Sequence, residues 1–144
     1  AEAKKTMSEQ IMINGLIEIP QREVILMLEA GYLYMELGKN DEAEEVFQGV
    51  ASLVPHNEVP HMALGHLYFS MGKFNPALKA HRKGVELNPQ APMAHASVGE
   101  VLLFLKKPEQ ALQELDKAIE LDPDGSAGEF ARNLKEAHEL GVFG

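Results

Sequence analysis

Cysteine and tryptophan are both absent from this chain of 144 residues. Without cysteine there is no disulfide, no thiolate metal site and no thiol nucleophile. Positive charge is scarce: 13 Lys and Arg stand against 22 Asp and Glu, for a formal net charge of −9. A chain of that sign repels phosphate backbones, so nucleic acid is not an expected partner. No apolar run in the sequence approaches the about 20 residues of a membrane span. The opening stretch Ala1–Gln10 is polar and lacks the apolar core of a secretory signal. The expected location is therefore the cytoplasm.

What the sequence does contain is a period. Gly31, Gly65 and Gly99 recur every 34 residues, as do Ala43, Ala77 and Ala111, and Pro55, Pro89 and Pro123. Three columns sharing one spacing without insertions are the signature of a stacked-repeat protein, an architecture of binding surfaces rather than of catalytic clefts. The repeats frame as residues 24–57, 58–91 and 92–125. Each holds two helical stretches joined by a turn: Gly38-Lys39-Asn40-Asp41, Gly72-Lys73-Phe74-Asn75-Pro76 and Lys106-Lys107-Pro108. Glycine ends a helix by taking a positive φ, Asn or Asp is expected to cap the next one, and Pro suits its first turn. Lys106 stands where the other two repeats have Gly, which predicts a turn that is either slightly strained or differently closed. Asn88-Pro89 and Asp122-Pro123 close second helices, because a residue before Pro avoids helical angles. Residues 1–23 form an N-terminal arm in which Ile11, Met12, Ile13, Leu16, Ile17 and Ile19 suggest a short helix followed by a turn. Residues 126–144 form a capping helix and a tail. Phe130 and Leu134 there should cover Leu112, Leu115 and Ile119, which have no following repeat.

These columns resemble those of the tetratricopeptide repeat family. The second repeat matches best, with Leu64-Gly65, Tyr68, Gly72, Ala77 and Pro89. The first has Ala30-Gly31, Tyr34, Gly38, Ala43, Phe47 and Pro55, and the third Val98-Gly99, Leu102, Ala111, Leu115, Ala118 and Pro123. The family's Trp column holds Met27, His61 and His95. Its second-helix aromatic column holds Phe47, His81 and Leu115. His81 together with Gly84 predicts a weak middle outer helix. The resemblance implies an all-α, right-handed α-solenoid of three helix-turn-helix repeats. The arm, the three repeats and the final helix are also similar in layout to small chaperones of bacterial type III secretion.

Charge separates the two helices of each repeat. Val24–Leu37 carries only Glu29 and Glu36, Val59–Met71 carries no Asp, Glu, Lys or Arg, and Met93–Leu105 carries only Glu100. The second helices are rich in charge: Asp41, Glu42, Glu44 and Glu45 open one, and Glu109, Glu114, Asp116, Lys117 and Glu120 line another. A surface helix buries one stripe; helices with almost no solvated face must bury two. One face packs on neighbours, and the other should line a sheltered concavity. The family resemblance implies which positions do so. The first repeat contributes Ile25, Leu28, Tyr32, Met35 and Glu36. The second contributes Val59, Met62, His66, Phe69 and Ser70, and the third Met93, Ala96, Glu100, Leu103 and Phe104. Such a groove is apolar, with adaptable methionines and aromatic anchors. It lacks the Lys and Arg with which some family members clamp a C-terminal carboxylate, and Glu36 and Glu100 would repel an acidic tail. The expected ligand is an apolar peptide or an amphipathic helix.

Tyr32, His66 and Glu100 share one column and could form a polar row. No nucleophile or phosphate loop accompanies them, so no enzyme activity is expected. His61 and His95 read as core histidines, because their spacing fits no metal motif. Lys79, Arg82 and Lys83 read as a solvated basic face that could pair weakly with Glu42, Glu44 and Glu45. No cofactor or metal is expected. The reading is an adaptor or small chaperone. Alternatives are a type III secretion chaperone, or self-association in which the arm around Ile11–Ile19 or the tail Val142-Phe143 fills a neighbour's groove.

Overall fold

The computed structural model describes the backbone of Met12–Ile13 and Ile17–Glu18 and all of residues 21–144. Seven helices follow one another among the described residues: α1 (Gln21–Glu36), α2 (Asn40–Leu53), α3 (Val59–Ser70), α4 (Phe74–Leu87), α5 (Pro92–Phe104), α6 (Pro108–Leu121) and α7 (Ser126–Glu139). Each pairs with its sequence neighbour in an all-α solenoid. The arm differs from the helix expected there. Its described residues form two short antiparallel strands, β1 (Met12–Ile13) and β2 (Ile17–Glu18), with Met12 opposite Glu18 and Ile13 opposite Ile17. Between them lies Asn14-Gly15, a dipeptide that favours a hairpin over a helix. The arm's side chains, and with them the proposed docking of Ile11–Ile19, lie outside the described residues.

The three repeat turns close in one way. The N–H of Lys39, Lys73 and Lys107 donates to the carbonyl of Tyr34, Tyr68 and Leu102 at 2.8, 2.8 and 2.9 Å. This is the wrap by which a left-handed residue ends a helix. That residue is Gly38 at φ 75°, Gly72 at φ 73° and Lys106 at φ 63°. Lys106 thus carries a Cβ in a region that costs an L-residue about 1–2 kcal/mol, so of the two outcomes expected for this turn the strained one holds. The expected Asn and Asp caps do not form. Lys39, Lys73 and Lys107 occupy the cap positions, without a side-chain hydrogen bond. The closing wrap places the chain so that the next helix starts two residues earlier than an Asp41 or Asn75 cap would require.

The glycine column has a steric cause. A Cβ on Gly31 would collide with the Phe47 ring, one on Gly65 with the His81 imidazole and one on Gly99 with Leu115. The first helix of each repeat therefore lets the second approach to backbone contact. Two apolar clusters result. The front one centres on Val24, Leu28, Phe47, Val50, Leu64 and Leu67, the rear one on Val98, Leu102, Leu103, Leu115, Ala131 and Leu134. Between them α4 buries only Ala77, His81 and Gly84. Buried apolar area is what holds helices together, at about 25 cal/mol per Å². Of the three second helices α4 therefore buries the least apolar side chain, since Ala77 stands beside a histidine and a glycine where α2 has Phe47 and Val50.

At the rear, α7 packs on both α5 and α6. Phe130, Leu112 and Ile119 lie against the cluster that contains Leu115 and Leu134. Asp122 fixes the start of α7 by accepting the Ala127 N–H at 3.1 Å. Arg132 donates to the Pro123 carbonyl at 2.6 Å, and Lys135 pairs with Asp116 at 2.7 Å.

Candidate functional site

The first helices of the repeats present a surface of graded exposure. Ile25, Val59 and Phe104 are 46%, 41% and 41% exposed, unusually open for large apolar side chains. Glu36 and Ser70 are exposed as well, while Tyr32, Met35, Met62, His66, Phe69, Met93 and Glu100 are half-buried. Leu28, Ala96 and Leu103 depart from the groove expected for them: all three are buried in the core. The reason is clearest in α5, where nine of thirteen residues are buried because α6 and α7 enclose it. The third repeat therefore offers Met93, Glu100 and Phe104 rather than five lining residues.

Successive first helices touch through two pairs of these side chains, Tyr32 with His66 and Phe69 with Phe104. Tyr32 Oη and His66 Nδ1 share a hydrogen bond at 3.0 Å across a separation of one repeat. Burial raises the Tyr32 pKa and lowers that of His66, so both are neutral near pH 7. The His66 ring lies 5.1 Å from His81, and Tyr32 lies 5.1 Å edge-on to Phe47. His81 is buried, its Nδ1 has no partner, and burial followed by the charge of His66 lowers its pKa to about 3. Glu100 does not complete the expected row: no hydrogen bond reaches it among the described residues, and burial raises its pKa. Tyr32 and His66 are thus a neutral hydrogen-bonded pair, and among the described residues Glu100, with its desolvated carboxyl, is not hydrogen-bonded to them.

One part of the surface was not legible from spacing. Four of the six phenylalanines meet where the first helices end. Phe69 stands 4.9 Å from Phe104 and 5.4 Å from Phe74, and Phe104 stands 5.3 Å from Phe143. These are edge-on pairs, the favoured aromatic geometry. Phe74 directly follows a turn and Phe143 lies in the tail, so neither falls on a lining column. The tail packs on its own chain: Phe143 rests on Phe104, and Lys106 Nζ donates to the Phe143 carbonyl. A tail that fills a neighbour's groove would have to give up these contacts.

The two histidines of the inter-helix column behave differently. His95 is buried and satisfied, with Nδ1 2.7 Å from Glu114 Oε2 and Nε2 2.7 Å from the Pro89 carbonyl. His61 is not core; it is half-buried at the wall of an outer groove beside Tyr68. Burial and the charge of Lys83 lower its pKa. Among the described residues no three His, Asp or Glu side chains converge on a metal site, and no helix is long and apolar enough to cross a membrane.

Comparison with known proteins agrees with this geometry. Tetratricopeptide repeat models match residues 34–100 and 94–124, together more than half of the chain. No curated protein matches it in sequence. Among solved structures it is similar to the first tetratricopeptide repeat domain of Spaghetti (RPAP3) bound to the HSP90 peptide SRMEEVD. Identity there is 25%, coverage 84% of this chain and 97% of that one, and the TM-score 0.70. The type III secretion translocator chaperone SycD of Yersinia enterocolitica shares 20% identity over 81% of this chain and 88% of its own, with a TM-score of 0.71. PcrH, of Pseudomonas aeruginosa, in complex with the chaperone binding region of PopB, shares 21% identity over 87% and 97%, with a TM-score of 0.68. Likeness to the two chaperones is likeness of fold.

Proposed function

Because this chain belongs to the tetratricopeptide repeat family, we propose that it is a peptide-binding module whose ligand lies along the first helices. The observation that carries this is the open apolar surface. Ile25, Val59 and Phe104 are two-fifths or more exposed, and α3 and α5 carry a single charged residue, Glu100, between them. Exposed large apolar side chains are costly in a free chain, and a surface that carries them is a candidate for interaction. Met35, Met62 and Met93 lie beside them, half-buried. Their thioethers adapt to varied apolar partners.

The chemistry of the surface selects an apolar segment over an acidic tail. The Spaghetti domain is bound to an acidic peptide and PcrH to a segment of PopB. The lining positions here hold no Lys or Arg, and Glu36 and Glu100 flank them. A peptide ending in two Glu and an Asp would bring like charges together and leave its carboxylates unpaired, at several kcal/mol. The module is therefore an adaptor or a small chaperone, and no catalytic step is assigned to it. Titration of the purified chain with SRMEEVD and with the chaperone binding region of PopB tests the choice. Binding of the second without the first is expected. Tight binding of SRMEEVD would refute the electrostatic argument.

A further inference from the structure

The outer face carries a second pattern that peptide binding does not use. α4 exposes Lys79 and Arg82, with Lys83 half-exposed, in a chain of net charge −9. One repeat earlier α2 exposes Glu42 and Glu45. Glu45 and Lys79 occupy the same repeat position with opposite charge. Each set rims a groove with an apolar floor. The basic groove has a volume of about 1080 Å³ and runs over Tyr68 and Ala80; the acidic one, of about 660 Å³, runs over Tyr34 and Val46. These floors are again equivalent positions, 34 residues apart.

The weak pairing that the sequence suggests between the two sets does not form. Among the described residues no ion pair joins them. Lys83 reaches Glu86 at 3.5 Å, Arg82 reaches Gln110 at 3.3 Å, and Glu44 accepts from the Tyr68 hydroxyl at 2.5 Å. α2 and α4 each pack on α3 rather than closely on one another, which keeps the two charged sets apart. An acidic and a basic groove thus lie side by side without neutralising each other.

We propose that this face docks a second copy of the chain. A two-fold axis running between α2 and α4, and parallel to them, exchanges the two grooves. It sets Glu45 of each copy against Lys79 of the other, both pairs at once. Such a self-complementary patch is what an isologous contact requires. The long-range repulsion of two acidic chains is screened beyond about 8 Å at physiological salt, whereas contact pairs act within that distance. Two helices of 14 residues, each about 21 Å long, offer an area at the low end of specific interfaces, so the dimer is weak and concentration-dependent.

The test is charge reversal with mixing, read by sedimentation velocity over a concentration series. The chain with Lys79→Glu and Lys83→Glu has only acidic grooves; the chain with Glu42→Lys and Glu45→Lys replaces the acidic rim by a basic one. Each alone should be monomeric at concentrations where wild type dimerises. Their equimolar mixture, whose summed charge equals that of a wild-type pair, should dimerise again, which also shows that both variants are folded. Val59→Asp, on the opposite side, should leave dimerisation unchanged and lose peptide binding, so the two proposals fail separately. A wild-type chain that stays monomeric throughout overturns the proposal, even if an acidic peptide then binds at Lys79. So do reversed variants that still dimerise alone.

Discussion

Replacing His81 by Phe converts the middle of the solenoid into a copy of its first repeat. His81 is 1% exposed, its Nδ1 lacks a partner, and its imidazole sits over Gly65 as the Phe47 ring sits over Gly31. Phe therefore has a seat whose shape the first repeat already displays. At neutral pH the change removes an unsatisfied buried nitrogen, a gain of about 1 kcal/mol. The larger effect is in acid. An unfolded imidazole takes its proton near pH 6.5, whereas burial holds His81 neutral down to about 3. Between these values the unfolded chain binds the extra proton, so stability is full above pH 6.5 and falls as pH drops toward 3. At about pH 5 the loss is about 2 kcal/mol, from 1.36 kcal/mol per unit. His66, also lowered by burial, adds to the loss; Glu100, raised by burial, opposes it. Comparing wild type with His81→Phe cancels both. Urea denaturation at about pH 7.5 and about pH 5 should show the variant losing about 2 kcal/mol less than wild type. Equal losses in the two proteins would refute the burial of a neutral His81.

Two further substitutions probe the frame around that site. Lys106→Gly should raise stability by about 1 kcal/mol in chemical denaturation, because Gly adopts the φ of 63° without the Cβ penalty; a loss of stability would mean that the Lys106 contact with the Phe143 carbonyl outweighs the strain. Leu134→Ala should cost about 2–4 kcal/mol by the same assay, since Leu134 is 8% exposed in the rear cluster. A cost below about 1 kcal/mol would show α7 to be loosely held.

The fold was legible because its constraints are local and repeated. A backbone-contact glycine, a left-handed turn residue and a helix-ending proline each leave one residue type at one spacing, three times over. The departures have equally local causes. The arm's described residues pair as strands on either side of Asn14-Gly15, a dipeptide whose sequence favours a hairpin, and the Lys column takes the cap positions because the next helix starts two residues earlier than an Asp41 or Asn75 cap would require. The sequence also carried the reason for proposing a surface on the first helices, since α3 and α5 hold only one charged residue, Glu100, between them. Three positions of that surface were misread for a reason that spacing cannot carry. How deeply they sit depends on what packs behind them: Leu28 lies in the front cluster with Phe47 and Leu64, and Ala96 and Leu103 lie in the rear cluster that α7, outside the repeat, completes. The phenylalanine cluster at Phe104 was hidden likewise, because Phe74 and Phe143 reach it from a turn and a tail.

The central claim is that the charge-poor first helices bind an apolar segment. Isothermal titration of the PopB chaperone binding region into wild type and into the single variants Ile25→Asp and Val59→Asp tests it most directly. Ile25 is 46% and Val59 41% exposed, so an Asp at either position remains solvated in the free chain and the fold survives, which circular dichroism verifies. Against a bound apolar segment that carboxylate is desolvated without a partner, at about 3 kcal/mol or more. Affinity should therefore fall by about 100-fold or more in each variant. Wild-type binding that persists unchanged in both variants would place the binding surface elsewhere and contradict the account.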